Sequence, residues 1–330
     1  GSDSRTHPIR THEWSLARSG RTVFGMRVAI TGSSGLVGTA LMAHLESVGH
    51  SPVRVVRREA RDNEISWSPN AAADQEAAVA DLAAQLEEID AVVHLAGAGI
   101  GDKRWSHDYK RVLVESRTKG TALLSNAIAA CSNGPQVLLS GSAVGFYGSR
   151  GNEDLDETST PGEGFLADLT VEWEQCTEPA TAAGVRVAFL RTGIVLSAKG
   201  GALKKQLPLF KIGAGGTIGS GEQWWSWISI DDEVRAITHL LSGDIAGPVN
   251  LTAPQPATQA DFANTLGSVL KRPTFLPTPK FGPKLLLGSE LAENLLFTGQ
   301  KVHPQVLKND AGFTFDHPDL ETALRAVLGR

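Results

Sequence analysis

The chain has 330 residues, 41% hydrophobic and 20% charged, with a formal net charge of -5 and an isoelectric point near 6.0. That length serves one large domain or, as we read it, a core domain with a smaller appendage. A mildly acidic balance without basic runs or interleaved aromatic stripes argues against nucleic acid and anionic membrane surfaces as partners.

Gly1-Ser2 reads as the scar of a removed tag, and residues 3–25, rich in Arg, His, Ser and Thr, as a lead-in, so 1–25 stands apart from the folded part. From Met26 onward, short β-rich runs alternate with longer helical spacings, the pattern of a parallel sheet with helices on both faces. The predicted strands are Met26–Thr31, Pro52–Val56, a weaker Ile65–Trp67, Ala91–Ala96, Gln136–Ser140 and Val185–Leu190, rich enough in Val, Ile and Leu to be buried on both sides. The predicted helices are Leu36–Val48, Gln75–Leu86, Tyr109–Ala130 and Leu166–Ala183, with Gly49 and Gly184 as C-terminal stops. After Leu190 the rhythm breaks. Gly200-Gly201, Gly213, Gly215-Gly216, Gly219 and Gly221 crowd into a loop-rich stretch, followed by a strand over Trp225–Ile230, a helix over Asp232–Leu241 and a short run at Val249–Leu251. Prolines and helical fragments then lead to a last helix within Pro318–Leu328. The expected fold is α/β: a doubly wound parallel sheet over residues 26–196, completed by part of 225–251, with 197–330 as a smaller, mostly helical substrate region closing over the sheet.

Gly32-x-x-Gly35-x-x-Gly38 lies between the first strand and the first helix. Gly32 would allow the tight turn, Gly35 the approach of a pyrophosphate to the backbone, and Gly38 close packing of helix on strand. Ser33, Ser34, Leu36 and Val37 complete a turn whose free N–H groups and helix dipole favour anionic phosphates; the alternative is a glycine-rich turn without a ligand. At the end of the second strand, where an acid would hold a ribose, stand Arg57 and Arg58. A guanidinium suits a 2′-phosphate, so NADP is expected over NAD, unless the pair is simply a solvated basic loop. His94-Leu95-Ala96-Gly97 ends the fourth strand with residues small enough for close cofactor approach. Arg191 ends the sixth strand, at the edge where open parallel sheets bind ligands.

The glycine spacing, Leu95-Ala-Gly97, and Ser140-Gly-Ser-Ala-Val-Gly-Phe-Tyr-Gly148 together resemble the extended short-chain dehydrogenase/reductases. More specific are Gly101-Asp-Lys-Arg-Trp105, Ser116-Arg117 before Gly120-Thr121, Arg191-Thr-Gly-Ile-Val-Leu196, Gly215-Gly, Trp227-Ile-Ser-Ile-Asp-Asp232 and Phe297-Thr-Gly-Gln-Lys-Val302. These look like the YfcH-like, or SulA-like, NAD-dependent epimerases, from Met26 to the C-terminal segment around Gly312-Phe and Leu320–Leu328. The resemblance implies a Rossmann-type NAD(P) domain, with Ser140 and Arg117 on the cofactor side; Arg117 stands where the wider superfamily tends to place a structural Asn, and a plain surface helix charge is its alternative.

The resemblance also implies a proton relay that the residues do not supply. In the wider superfamily a Tyr, with a Lys four residues on, moves the proton while a Ser bonds the reacting oxygen. Ser142 matches the Ser. Neither tyrosine, Tyr109 or Tyr147, has a lysine four residues later, and no lysine lies between Arg150 and Lys199. Three substitutes are conceivable: Tyr147, if its phenol is not buried and satisfied; Asp168 or Glu172, one turn apart, if they are not merely a solvated helix face; or no relay at all, in an NADP-binding regulatory or scaffold protein without turnover. The leading expectation is an atypical NADP-dependent epimerase or oxidoreductase acting on a small polar or nucleotide-sugar-like substrate, to which Trp224, Trp225, Trp227, Lys204 and Lys205 are further candidates.

Cys131 and Cys176 match no metal-ligand or disulfide spacing, so no metal is expected and the cytoplasm is the default location. No apolar run approaches the ~20 residues that span a bilayer. The expected partner is a small molecule, with a homodimer as an open alternative to a monomer.

Overall fold

The computed structural model describes residues 25–69, 75–275 and 281–330; the proposed lead-in, save its last residue, lies outside them. The sheet is built from Arg27–Thr31 (β1), Ser51–Val56 (β2), Glu64–Ser66 (β3), Ala91–His94 (β4), Val137–Ala143 (β5), Arg186–Thr192 (β6) and Gly247–Leu251 (β7). These seven strands run in the order β7-β6-β5-β4-β1-β2-β3, every neighbouring pair parallel. Chain order reverses between β1 and β4, which opens a crevice beyond Thr31 and His94.

Alternation along the strands sends side chains to two cores. Val28 and Ile30 of β1 join Leu41 and Leu45 of α1 (Leu36–Ser47) and Ile237 and Leu240 of α6 (Ile230–Ser242) on one face. Ala29 joins Leu82 and Leu86 of α2 (Gln75–Leu86) and Leu124 and Ala127 of α3 (His107–Ala130) on the other. Helix α4 (Phe165–Gln175) packs beside α3 and β5. A third core gathers Trp225 and Trp227 with Leu203, Leu207 and Phe210 of α5 (Gly201–Lys211), Phe262 and Leu266 of α7 (Gln259–Leu270) and Leu324 of α8 (Leu320–Leu328).

Two predicted elements are broken, each for a local reason. The strand expected over Trp225–Ile230 is two short ones, because Ser226 serves two partners: its carbonyl accepts from Ile194 N at 2.8 Å and its hydroxyl donates to the Gln300 carbonyl at 2.7 Å. Trp224–Trp225 therefore pairs with Ala257–Thr258, and Trp227–Ser229 with Ile194–Leu196. The helix expected over Leu166–Ala183 stops at Gln175 and restarts as Glu178–Ala182; Thr177 donates its hydroxyl to the Glu174 carbonyl at 2.8 Å, and Pro179 has no N–H to continue the ladder. Strand β5 runs three residues beyond its expected end at Ser140, which makes Ser142 a strand residue.

Candidate functional site

The turn from β1 into α1 is close-packed to a degree that only glycine permits. Gly32 has φ +66°, and a Cβ there would stand 2.7 Å from the Leu95 carbonyl carbon at the end of β4. A Cβ on Gly38 would stand 2.2 Å from the Gly32 carbonyl oxygen, whereas one on Gly35 would meet that oxygen at 3.2 Å. Gly35 is the N-cap of α1 and has no side-chain cap, and the glycine and Ser34 are exposed, so the first amides of the helix face outward unscreened by a side chain. Leu36 and Val37 are half-buried, and Leu36 lies under Gly200 at the start of α5. The turn is thus a cradle of uncapped helix amides that leaves no room for a Cβ at Gly32 or Gly38.

The basic residues around it divide. Arg58 is spent: both its terminal nitrogens donate to the Glu64 carboxylate at 2.7 Å, which holds Glu64 well below the usual carboxylate range. Arg57 is exposed and pairs with no other described residue. Arg54, which sequence reasoning missed, donates to the Ser33 carbonyl at 3.1 Å and brings a cation to the turn itself; strand alternation, opposing Arg54 to the buried Val53 and Val55, was the signal.

At the end of β4 the backbone is pinned from behind. Thr31 Oγ1 accepts from Leu95 N at 3.0 Å and Ala96 N at 3.2 Å, and lies 2.7 Å from His94 Nδ1. With both acceptances made, the Thr31 proton goes to Nδ1, leaving Nε2–H to donate to Thr121 Oγ1 at 3.0 Å. Full burial pushes His94 down to about 4, so the ring is neutral. Ser140, in register with His94 on β5, is fully buried. A Cβ on Gly97 would meet the Arg117 guanidinium carbon at 3.3 Å. Arg117 donates to the Leu113 carbonyl at 3.1 Å and stacks 5.1 Å over the Trp173 ring. No carboxylate pairs with it among the described residues, and burial lowers its pKa: it is an inward-facing cation without a counter-charge, not a surface charge.

Ser142, Tyr147 and Arg191 are brought together, but into a closed network. Ser142 Oγ donates to Glu174 Oε1 at 2.6 Å; Arg191 donates to the two Glu174 oxygens at 2.8 and 2.9 Å and to Tyr147 Oη at 3.1 Å. Tyr147 in turn donates to Asn250 Oδ1 at 2.7 Å. Strand register sets this up, since Ser142 of β5 is the direct partner of Arg191 of β6. The ring of Tyr147 is 0% exposed, and burial pushes its phenol up, outweighing the opposing charge of Arg191. The expectation that Tyr147 could swing toward a substrate is corrected: its hydroxyl is satisfied and its acidity moves the wrong way for a proton acceptor. Ser142 keeps only its lone pairs for a ligand. Arg191, expected on the cofactor side, is likewise committed to Glu174.

Asp168 and Glu172 lie on the exposed face of α4, with Ala167, Thr170 and Trp173 turned inward. The face toward the turn after β5 carries Leu166 and Thr170, both near Gly145, so the acid or base expected of Asp168 or Glu172 is corrected to a solvated helix face. Glu174, the buried acid that sequence reasoning passed over, betrays itself by interrupting that apolar stripe.

The loop after Gly97 is held by distant segments. Lys205 of α5 donates to the Gly101 carbonyl at 3.2 Å, Arg104 donates to the carbonyls of Leu285 and Leu286, and Lys110 pairs with Glu290 at 2.7 Å. Lys205 is therefore a strut. A cavity of about 570 Å³ opens among Asn152, Ser220, Glu222, Trp224, Phe297 and Thr298. Trp224 donates to Asn152 at 2.7 Å; Trp225 and Trp227 are core residues, 3% and 1% exposed. Gly299 passes so near that a Cβ would meet the Trp224 carbonyl oxygen at 1.8 Å.

Residues 28–251, from the glycine cradle to β7, match the NAD dependent epimerase/dehydratase family. The chain belongs to that family. Residues 278–327 of this epimerase/dehydratase family member match a domain of unknown function, DUF1731. An epimerase family protein of Mycobacterium bovis is 42% identical over 299 residues, 90% of this chain and 96% of that protein. The chloroplastic SDR39U1 homolog of Arabidopsis thaliana is 36% identical over 92% of this chain and 87% of its own length. The crystal structure of human epimerase family protein SDR39U1 (isoform 2) with NADPH has TM-score 0.82 at 32% identity, over 92% of this chain and all of that one. The doubly wound, Rossmann-type fold and the atypical epimerase family read from the sequence are those found. Among the described residues no helix is long and apolar enough to cross a membrane, and no cluster of His, Cys, Asp and Glu is arranged to hold a metal.

Proposed function

We propose that the chain binds NADP(H) along the carboxyl edge of its sheet, with the diphosphate on the Gly32–Gly38 cradle, Arg57 at the 2′-phosphate and Arg117 at the nicotinamide end, and acts as an oxidoreductase on a small polar substrate. The observation that carries this reading is a pair of features on the carboxyl edge of the sheet: a turn closed to a Cβ at Gly32 and Gly38 whose first helix amides are uncapped, and a half-buried, inward-facing guanidinium with no carboxylate among the described residues. The NADPH in the human relative supports the coenzyme. When bound, the coenzyme would supply hydride transfer at its nicotinamide ring. The chain's own part is to fix the β4 end through Thr31 and His94, and to offer Ser142 as an acceptor to a substrate hydroxyl. The cavity beside Trp224 presents Asn, Ser, Thr and Gln side chains and one carboxylate, Glu222, but no cation, a lining suited to a neutral polyhydroxylated group rather than a diphosphate.

Calorimetric titration of NADPH and NADH tests the reading. NADPH is expected to bind more tightly, and Arg57→Ala to cost it roughly tenfold or more, the worth of a charge-assisted hydrogen bond of about 1.5–3 kcal/mol, while NADH is unmoved. Absence of heat with every nicotinamide coenzyme would overturn it. A second reading, an NADP-binding protein without turnover, is favoured by one fact: the hydroxyls of Ser142 and Tyr147 are both donated inward. Bound NADPH that stays reduced before a panel of ketones and nucleotide sugars would decide for that reading; oxidation by any of them would decide against it.

A further inference from the structure

Glu233, in the first turn of α6, has no place in the reading so far. It is 1% exposed. Its Oε1 accepts from Thr192 Oγ1 at 3.0 Å, and its Oε2 is buried without a partner. Thr192 is the last residue of β6, half-buried at the carboxyl edge of the sheet, in register with Ala143 of β5 and Leu251 of β7. Alternation sends Arg191 to the α4 face with Glu174, and Thr192 to the opposite face with Glu233. Thr252 Oγ1, another buried atom without a partner, lies just beyond, its methyl 3.0 Å from where a Gly193 Cβ would stand.

None of the charged and titratable side chains around Glu233 pairs with it among the described residues. Asp232 accepts from Arg235 and from the backbone amides of Asp316 and His317; His317 lies at hydrogen-bond distance from Ser229; Arg191 is taken by Glu174. Asp231 is exposed, and His44 on α1 does not hydrogen-bond to Glu233. With Thr192 as its one hydrogen-bond partner, burial pushes the Glu233 carboxyl up to about 8, so at neutral pH it holds its proton.

We propose that Glu233 is the proton-holding residue of the coenzyme site: a neutral carboxylic acid that ionises when a positively charged oxidised nicotinamide is seated beyond β5 and β6, with Thr192 as the hydrogen-bonded link between the two. This rests on the NADP(H) reading above. The balance is one proton: Glu233–COOH becomes carboxylate, the proton passes to solvent, and the new carboxylate offsets the ring's positive charge. The neutral reduced ring calls for no such release. Ser142 and Tyr147 hold no such releasable proton, and the release makes the chain favour the oxidised coenzyme more as pH rises.

Titration calorimetry on the full chain, in two buffers of different ionisation heat, counts the protons released. Near neutral pH the expected release is close to one proton per NADP+ and none per NADPH, and NADP+ affinity is expected to rise by up to about tenfold per pH unit below the carboxyl's own pKa. Glu233→Gln should abolish both. Thr192→Val should weaken the coupling and Thr192→Ser keep it, so the test survives a Gln variant that does not fold. Independently of binding affinity, the infrared carbonyl band of a protonated buried carboxylic acid should be present in the free protein, absent in Glu233→Gln, and lost on adding NADP+. Equal proton counts for the two coenzymes, or coupling unchanged in both variants, would overturn the proposal while leaving coenzyme binding intact; no heat with either coenzyme would overturn the binding reading first.

Discussion

Glu233→Gln should stabilise this protein, and more so as pH rises. Burial raises the carboxyl from its ordinary 4.5 to about 8, so the unfolded chain ionises there several pH units before the folded one does. Below the unfolded value neither state carries the charge and no pH-dependent cost arises. Between the two values stability falls by about 1.36 kcal/mol per pH unit, and above the folded value the cost is constant. Near pH 7 the native acid therefore costs about 3 kcal/mol. A glutamine carries no such dependence, although its amide keeps a fixed desolvation cost of about 1–3 kcal/mol. That fixed cost cancels when the difference between variant and parent is followed against pH: from about pH 5 to pH 7 the gap should move by roughly 3 kcal/mol in favour of glutamine. Urea unfolding of both proteins across that range measures it. A gap that is flat with pH would mean that Glu233 is ionised in the folded protein and that water reaches it.

Glu174→Gln breaks the buried pair with Arg191 and should cost about 3–5 kcal/mol, read as a lowered denaturation midpoint; Ser142→Ala removes one hydrogen bond and should cost nearer about 1 kcal/mol. Gly38→Ala, whose Cβ would stand 2.2 Å from the Gly32 carbonyl oxygen, should abolish NADPH binding or folding, whereas Gly35→Ala, with its contact at 3.2 Å, should weaken binding without unfolding the chain. Asp168→Asn and Glu172→Gln should leave both NADPH affinity and stability within about 0.5 kcal/mol of the parent; a marked loss in either would return the carboxylates to the site.

Much of the sheet could be read directly because its signals are local. Runs such as Val-Val-His at β4 and Val-Leu-Leu at β5 are buried on both faces, and turns such as Gly49 (φ +88°) and Gly184 (φ +84°) need a residue without a Cβ. The glycine cradle was legible for the same reason. Side-chain commitments were not, because each depends on a partner far along the chain. Arg58 looks like a phosphate ligand until Glu64 folds back against it; Ser142 looks like a substrate ligand until register sets it beside Arg191 and Glu174, which no spacing within the sequence encodes. Glu233 was illegible for a further reason: in Ile-Asp-Asp-Glu-Val it is indistinguishable from its neighbours, yet α6 turns it, and not Asp231, toward the sheet.

The network that removes Ser142 and Tyr147 from simple catalysis also ties the end of the chain to the sheet. Tyr147 donates to Asn250 on β7, and Asn250 donates to the His303 carbonyl at 3.0 Å. Glu157 accepts from the amides of Asn250, Gln305 and Val306 at 3.0, 3.2 and 3.3 Å, while Lys301-Val302 pairs with Asp154-Leu155. His303, which follows the segment Phe297–Val302 bordering the cavity beside Trp224, is thus tied through Asn250 to the hydroxyl that a tyrosine-based relay would need free. Loosening Tyr147 for proton transfer would leave the Asn250 amide oxygen and one Arg191 nitrogen unpaired in the interior, each at about 1–3 kcal/mol. These groups are spent on anchoring the C-terminal segment, so under the proposed function any exchangeable proton has to lie on the opposite face of the sheet, where Thr192 and Glu233 pack.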